Sequence, residues 1–333
     1  MAAGGVPVTF TVNLSLGGNF GCEPGDILLD AARRQEVFLA HGCRNGRCGV
    51  CKARVLSGET RPRIAETSLT PRELSDGYIL TCAREALSDV TLAAENLCQF
   101  AEVPVRTLPA RLDRLENLSG DVLRVVLRLP PRAAFRFVPG QYIEVISPLG
   151  VRRSYSLASM PSAEGSLELH IRKVPGGVMS DWWFGGAALN DLVRFEGPFG
   201  TFATRSIGLE PIFLATGTGY APVRAMLQQL QSEGFSLPVW LYWGGRRPAD
   251  LYENVAFPGL DLRFFPVLSR AGVEWGGRRG YVQEAVLADR ADLSGAVVYA
   301  CGSDAMIQAA HARFRAAGLL EAHFFSDAFV ASN

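Results

Sequence analysis

Four cysteines, Cys43, Cys48, Cys51 and Cys82, stand in the pattern C-x4-C-x2-C…C, the first three inside HGCRNGRCGVCKARVLSG. Three thiols so close in sequence can face one point only if the backbone between them curls tightly. Gly42, Gly46 and Gly49 supply that freedom and let amide N–H groups point at the sulfurs. Cys82 comes 31 residues after Cys51, at the end of the apolar strand-like run YILTC, and closes the group from a separate element. This is the plant-type spacing for four thiolates on a [2Fe–2S] cluster. A zinc site would ask for two C-x2-C knuckles or added histidines, and only one knuckle is present. A disulfide framework does not suit a chain of 333 residues with seven cysteines and no secretory signal. Of the remaining cysteines, Cys22 and Cys98 read as small core residues.

The length predicts two or three domains, and 48% hydrophobic residues are ample for packed cores. No run is long and uncharged enough to span a bilayer, and MAAGGVPVTF lacks the regions of an export signal. Cysteines reserved for a cluster fit a reducing compartment, so the expectation is a cytoplasmic protein without a membrane partner. A net charge of zero gives no support for a nucleic-acid partner.

The expected fold class is multidomain, α+β and α/β. Residues 6–16 alternate like a strand, and Gly17-Gly18 reads as a hairpin turn. Asp26 is placed to cap an amphipathic helix, ILLDAARRQEVF. Thr70-Pro71-Arg72-Glu73 is a capping-box pattern that predicts a short helix before YILTC. Together with DVTLAAE these elements predict a small β-grasp domain over 6–97, followed by a linker at 98–104. From 105 to 206 strand patterns separated by proline and glycine turns predict an antiparallel β-barrel, interrupted by one helix candidate, SDWWFGGAAL. Over 209–333 the apolar runs PIFLAT, VWLYWG, LRFFPVL and VVYACG alternate with helical patterns, among them APVRAMLQQLQSEG and ADLYENVAF. That is a doubly wound parallel-sheet nucleotide domain, with ligands expected at the carboxyl ends of the strands.

Within the barrel segment, Arg153-Ser154-Tyr155-Ser156 offers a cation, an aromatic ring and hydroxyls on one strand, which a flavin needs for its phosphate, its ring face and its reactive edge. The plainer alternative is an edge-strand tyrosine beside a surface arginine. Gly176-Gly177-Val178-Met179-Ser180 adds a turn into a helix, a ready anion site. Thr216-Gly217-Thr218-Gly219-Tyr220-Ala221-Pro222 follows a buried strand and opens a helix, as a dinucleotide-binding turn does. Cys301-Gly302-Ser303 ends a later strand and puts a thiol at the sheet edge where a nicotinamide would lie. A simple buried strand cysteine is the alternative there.

Taken in order, these motifs and the terminal HFFSDAF resemble the ferredoxin–NADP reductase superfamily over essentially the whole chain. More narrowly, the chain resembles the iron–sulfur flavoprotein reductases with an N-terminal ferredoxin domain. These include reductase components of ring-hydroxylating oxygenases and of phenol, toluene and methane monooxygenases, and the CDP-6-deoxy-Δ3,4-glucoseen reductases, which share RRSYS, LHIRKV and VYACGS. The resemblance implies that Cys43, Cys48, Cys51 and Cys82 ligate the cluster and that the flavin is FAD. It places Arg153 at the FAD pyrophosphate, Tyr155 against the isoalloxazine and Ser156 near its N5. His170, Ile171 and Arg172 match the strand beside the flavin, largely through backbone groups. Gly177, Val178, Met179 and Ser180 match the phosphate turn. Thr216, Gly217, Thr218 and Gly219, with Cys301 and Gly302, match positions around the nicotinamide, and Phe329 matches the C-terminal aromatic. Ser156 and Cys301 are thus the implied catalytic pair.

Ser269, Arg270 and Arg279, with Tyr281, have the spacing at which plant-type relatives hold a 2′-phosphate, so NADH and NADPH are both expected coenzymes. Surface arginines after a strand are the alternative reading. The implied function is an NAD(P)H-dependent reductase passing single electrons through FAD and the cluster to a terminal oxygenase component. The same chemistry serving an iron–sulfur dehydratase in deoxysugar synthesis is the second expectation. A non-catalytic electron carrier or redox sensor is the third, and the intact GTGYAP and CGS motifs count against it.

Overall fold

A computed structural model describes residues 9–205 and 207–329. The chain divides into two compact units, one running to Glu102 and the other from Val103. Residues 6–8 of the first expected strand, Ser206 at the end of the expected barrel segment, and residues 330–333 lie outside the described residues.

In the first unit β1 (Phe10–Leu14) and β2 (Asn19–Cys22) form a hairpin, turning at Gly17 and Gly18 with φ near +100° as the Gly-Gly pair predicts. Then follow α1 (Leu28–Arg34), β3 (Lys52–Ser57), β4 (Thr60–Pro62), α2 (Pro71–Ser75), β5 (Tyr78–Leu80), β6 (Arg84–Ala86) and β7 (Val90–Ala93). The sheet order is β2-β1-β7-β3-β5, with β1 and β7 parallel at its centre, and β4 pairs with β6 in a separate hairpin. One face of the main sheet and α1 share a core of Val12, Phe20, Leu28, Leu80 and Leu92. This is the expected β-grasp arrangement. The Thr70–Glu73 capping box forms as predicted.

Three expectations in this unit are corrected. Asp26 does not cap α1; Ile27 is the N-cap, and the Asp26 carboxylate instead accepts from Glu23 N–H and pairs with Arg34. The helix also ends early, because Val37 N–H returns to the Ala32 carbonyl while Glu36 takes a left-handed φ of 58°. Cys22 is buried as expected, but Cys98 is exposed: it opens the short turn Cys98–Phe100, which buries Phe100 while the preceding Leu97 also points inward.

The second unit begins with β8 (Arg106–Asn117), β9 (Val122–Arg128), β10 (Tyr142–Ile146), β11 (Arg152–Ser156) and β12 (Ser166–Arg172). After α3 (Val178–Asp181) comes β13 (Leu192–Phe199). These six strands are antiparallel in the order β11-β10-β13-β8-β9-β12, and a bridge between Leu157 and Leu169 brings the two ends of the sheet together as a nearly closed barrel. Its interior is filled by Leu112, Val125, Ile143, Leu169 and Phe195. The SDWWFGGAAL segment holds α3 and then widens into a π-type turn, Trp182–Gly186, which buries Trp183.

The rest of the unit is β14 (Glu210–Thr216), α4 (Tyr220–Ser232), β15 (Val239–Gly245), β16 (Leu262–Leu268), β17 (Arg278–Arg279), α5 (Val282–Asp289), β18 (Ala296–Ser303), α6 (Asp304–Ala316) and β19 (Phe324–Phe329). All six strands are parallel, in the order β17-β16-β15-β14-β18-β19. The expected doubly wound layout is present. The helix expected over ADLYENVAF is absent; only a single 3-10 turn, Pro248–Asp250, forms. The Asp250 carboxylate takes the N–H groups of both Arg246 and Arg247 and bends the chain. Tyr252 and Glu253 then turn away to partners on the barrel.

Barrel and parallel sheet pack as one compact unit. Phe202 and Val122 enter the core of the nucleotide half, Arg224 donates to the Ala158 carbonyl, and Arg205 N–H donates to the Tyr299 hydroxyl.

Candidate functional site

Cys43, Cys48, Cys51 and Cys82 of the N-terminal unit meet as two pairs. Cys43 and Cys48 exchange backbone N–H···Sγ contacts of 3.3 Å, and Cys51 Sγ lies 3.3 Å from Cys82 Sγ. The curl that achieves this uses Gly46 and Gly49 at φ of 79° and 75°, and Arg44 at 58°. A Cβ on Gly46 would fall 2.2 Å from the Ala65 carbonyl oxygen, so only glycine fits. Within each pair one thiol is pushed down and its neighbour up. Cys43 falls to about 5, first through its contact with Cys48, with amides of Asn45, Arg47 and Cys48 adding to it. Cys82 is lowered chiefly by Cys51. Backbone amides aimed at these sulfurs favour the thiolate a metal needs. The buried Thr81 hydroxyl, next to Cys82, has no partner among the described residues. Two thiol pairs, one per iron, fit a two-iron cluster, and the four cysteines would hold it.

In the barrel, Arg153 and Tyr155 of β11 sit opposite Val145 and Ile143, on the inward face of the strand. Strand alternation puts Ser154 and the buried Ser156 on the other face. Tyr155 is oriented by Trp183, whose indole N–H donates to its hydroxyl at 3.0 Å, and burial pushes that hydroxyl up to about 12. Arg153 donates to its neighbour's carbonyl. Gly177 precedes α3, Val178 is exposed, Met179 is buried, and the Ser180 hydroxyl accepts from Val174 N–H at 2.9 Å.

On β12 alternation selects Glu168, His170 and Arg172 for one face and buries Ile171 on the other. The three polar side chains reach the nucleotide half: Glu168 to Arg224, His170 to Tyr252, and Arg172 to Asp250. The Arg172 guanidinium also lies against Gly217, where a Cβ would come within 2.6 Å of it. Sequence reasoning gave this strand a role largely through its backbone groups and missed Glu168, Tyr252, Asp250 and Glu253. The period-two spacing in LELHIR was the available signal.

The glycine loop after β14 interlocks with the end of β18. Ser303 N–H donates to the Thr216 hydroxyl at 3.1 Å, and a Cβ on Gly302 would come within 2.1 Å of that oxygen. A Cβ on Gly219 would lie 2.3 Å from the Cys301 carbonyl oxygen. Thr218 is buried. Phe329 ends β19 beside Ser303 and is 40% exposed, so residues 216–219, 301–303 and 329 gather at one sheet edge. Cys301 itself is fully buried, and its thiol is pushed well up by burial and by the Asp327 charge. Ser269, Arg270 and Arg279 lie apart from these, beyond β15 and β16. Ser269 and Arg270 are exposed, whereas the Arg279 guanidinium donates to the carbonyls of Ala271, Gly272, Val273 and Trp275.

Three family models match in sequence: the 2Fe-2S iron-sulfur cluster binding domain over 13–86, the oxidoreductase FAD-binding domain over 109–204 and the oxidoreductase NAD-binding domain over 213–312. The chain belongs to the iron–sulfur flavoprotein reductases. Within that family it is 41% identical to the CDP-6-deoxy-L-threo-D-glycero-4-hexulose-3-dehydrase reductase of Yersinia pestis, over 94% of this chain and 96% of that one. It is 32% identical to the reductase component of the naphthalene 1,2-dioxygenase/salicylate 5-hydroxylase systems of a Ralstonia species, again over 94% and 96%. The Amycolatopsis cytochrome P450 reductase GcoB is 33% identical and superposes with a TM-score of 0.76, covering 96% of this chain and 99% of that one. Reductases of this family use NAD(P)H, FAD and a [2Fe–2S] cluster, and this chain is accordingly an NAD(P)H:acceptor oxidoreductase delivering electrons to a partner protein.

Proposed function

We propose that this reductase supplies electrons to a 3-dehydrase acting on a CDP-6-deoxyhexulose. The observation that carries this is the 41% identity, end to end, to a reductase named for that partner, ahead of the 32% to an oxygenase-system reductase. FAD, when bound, accepts a hydride's two electrons and releases them one at a time to the cluster. The chain's own residues do the placing. Gly217 and Gly219 let the turn before α4 pack against the Arg172 guanidinium and the Cys301 carbonyl, which sets the start of that helix at the sheet edge where a dinucleotide would bind. Tyr155, held by Trp183, presents a fixed aromatic ring on the barrel, and Arg153 places a cation on the same strand face. The β12 side chains fix the nucleotide half against the barrel, which sets the distance and angle a hydride must cross.

The test is reconstitution. The purified holoenzyme with NADH or NADPH, a CDP-6-deoxyhexulose 3-dehydrase and its substrate should yield the 3-deoxygenated sugar. A chain that supports an oxygenase component at high rate and the dehydrase not at all overturns the proposal in favour of the second reading. That reading is favoured by the GcoB superposition.

A further inference from the structure

The cluster ligands come from two places in the first unit, the three-cysteine loop and the turn after β5 that carries Cys82. One short segment between them, residues 63–67, is bound to both. Toward the loop, Thr67 N–H donates to the Gly46 carbonyl at 3.0 Å, and the Ala65 carbonyl closes on Gly46. Toward the turn, Arg63 N–H donates to the Ala83 carbonyl at 2.7 Å. Glu66, at the middle of the segment, has a side chain only 5% exposed. Its Oε1 accepts from Leu80 N–H at 2.7 Å, and its Oε2 accepts from both Nε and Nη2 of Arg84, at 2.9 and 2.7 Å, with Oε1 also 3.1 Å from that Nε. Leu80 and Arg84 stand two residues to either side of Cys82.

A buried ion pair is a weak source of fold stability, because desolvation cancels most of its attraction, and apolar side chains of similar volume often serve the fold as well. Apolar side chains could not, however, accept the Leu80 amide, which belongs to the edge strand of the sheet, nor hold a guanidinium in a set plane. Both contacts fall on residues that flank Cys82, two positions to either side of it.

We propose that Glu66 is a positioning residue for the [2Fe–2S] cluster, clamping the Cys82 turn from both sides and holding it to the three-cysteine loop through residues 65–67.

The test compares Glu66→Gln, which keeps an acceptor for Leu80 N–H but loses the charged pair, with Glu66→Ala, which loses both, in the full-length holoenzyme. Iron release to an excess of chelator should run about 10-fold or more faster in Glu66→Ala, with Glu66→Gln between it and the parent. The reduced cluster's EPR spectrum should broaden in the same order, while NADH-to-ferricyanide turnover through the flavin stays at the parent rate. Parent iron-release rates and spectra in both variants overturn the proposal. So does a fall in unfolding temperature with an unchanged spectrum, which would mark an ordinary structural pair. Should Glu66→Ala fail to accumulate, Glu66→Gln decides the matter by the same two readouts.

Discussion

The imidazole Nδ1 of His170 lies 3.1 Å from the hydroxyl of Tyr252, while its Nε2 lies 3.0 Å from Glu168. The bond joins a barrel strand to the loop that replaces the expected helix after β15, and Tyr252 in turn packs on Trp243 and Tyr220 at the base of the glycine loop. Tyr252→Phe removes one hydrogen bond and leaves a buried ring nitrogen unsatisfied. A loss of about 1–2 kcal/mol should lower the midpoint of heat-induced flavin release by roughly 2–8 °C, with iron content unchanged. A midpoint equal to the parent's counts against this bond as a tether.

Gly302→Ala places a methyl 2.1 Å from the Thr216 hydroxyl, at a φ of +139° that side chains rarely adopt. The loop must shift where the dinucleotide is expected. The Michaelis constant for NADH should rise at least about tenfold while bound flavin stays stoichiometric. Normal coenzyme kinetics in this variant would show that the interlock is not part of the coenzyme site.

Cys48→Ser should lose the cluster yet keep NAD(P)H-to-ferricyanide turnover within about twofold, because the two units have separate cores. Iron analysis and dye assays on one preparation read both. Equal loss of the two activities sinks the modular view.

The arginines beyond β16 separate into two kinds. Arg270 is exposed and its guanidinium has the freedom to meet a 2′-phosphate, whereas Arg279 secures four carbonyls of the 271–275 loop. Arg270→Ala should raise the Michaelis constant for NADPH much more than that for NADH. Arg279→Ala should loosen the loop and affect both coenzymes alike. Identical responses to Arg270→Ala would make it an ordinary surface charge.

Glu168 sits below its ordinary carboxylate value of 4.5: burial works against its charge, but the His170 hydrogen bond and the charges of Arg224 and Arg124 outweigh that. A folded-state value depressed in this way contributes stability that is complete above the unfolded value and is lost as pH falls through the folded one. Between about pH 5 and pH 3 the flavin-release midpoint should fall more steeply in the parent than in Glu168→Gln. Parallel curves would show that the carboxylate is not what acid breaks.

Much of the architecture is legible in the chain because local and global signals agree. The Thr70–Glu73 box, the Gly17-Gly18 turn and the four parallel-sheet runs each name one structure. Where two partners compete for one group, the reading fails. Asp26 had a helix end within reach but pairs with Arg34. ADLYENVAF has helical periodicity, yet Tyr252 and Glu253 find barrel partners. Those partners lie far away in sequence, so no window along the chain contains them. The cysteine spacing was legible because the ligand set is mostly local. The role of Glu66 was not, since its carboxylate meets Leu80 and Arg84 only after the sheet has formed.

Only 2 of the 33 basic residues are lysine, and the charged contacts between barrel and parallel sheet use Arg124, Arg172 and Arg224 against Glu168, Asp250 and Glu253. A guanidinium keeps its proton far into alkaline solution, where an ammonium gives its proton up. The joint that aligns donor and acceptor therefore has one weak side. Alkali leaves its cationic side charged, and acid reaches the joint through Glu168, the carboxylate that His170, Arg224 and Arg124 hold in its charged form against the cost of burial.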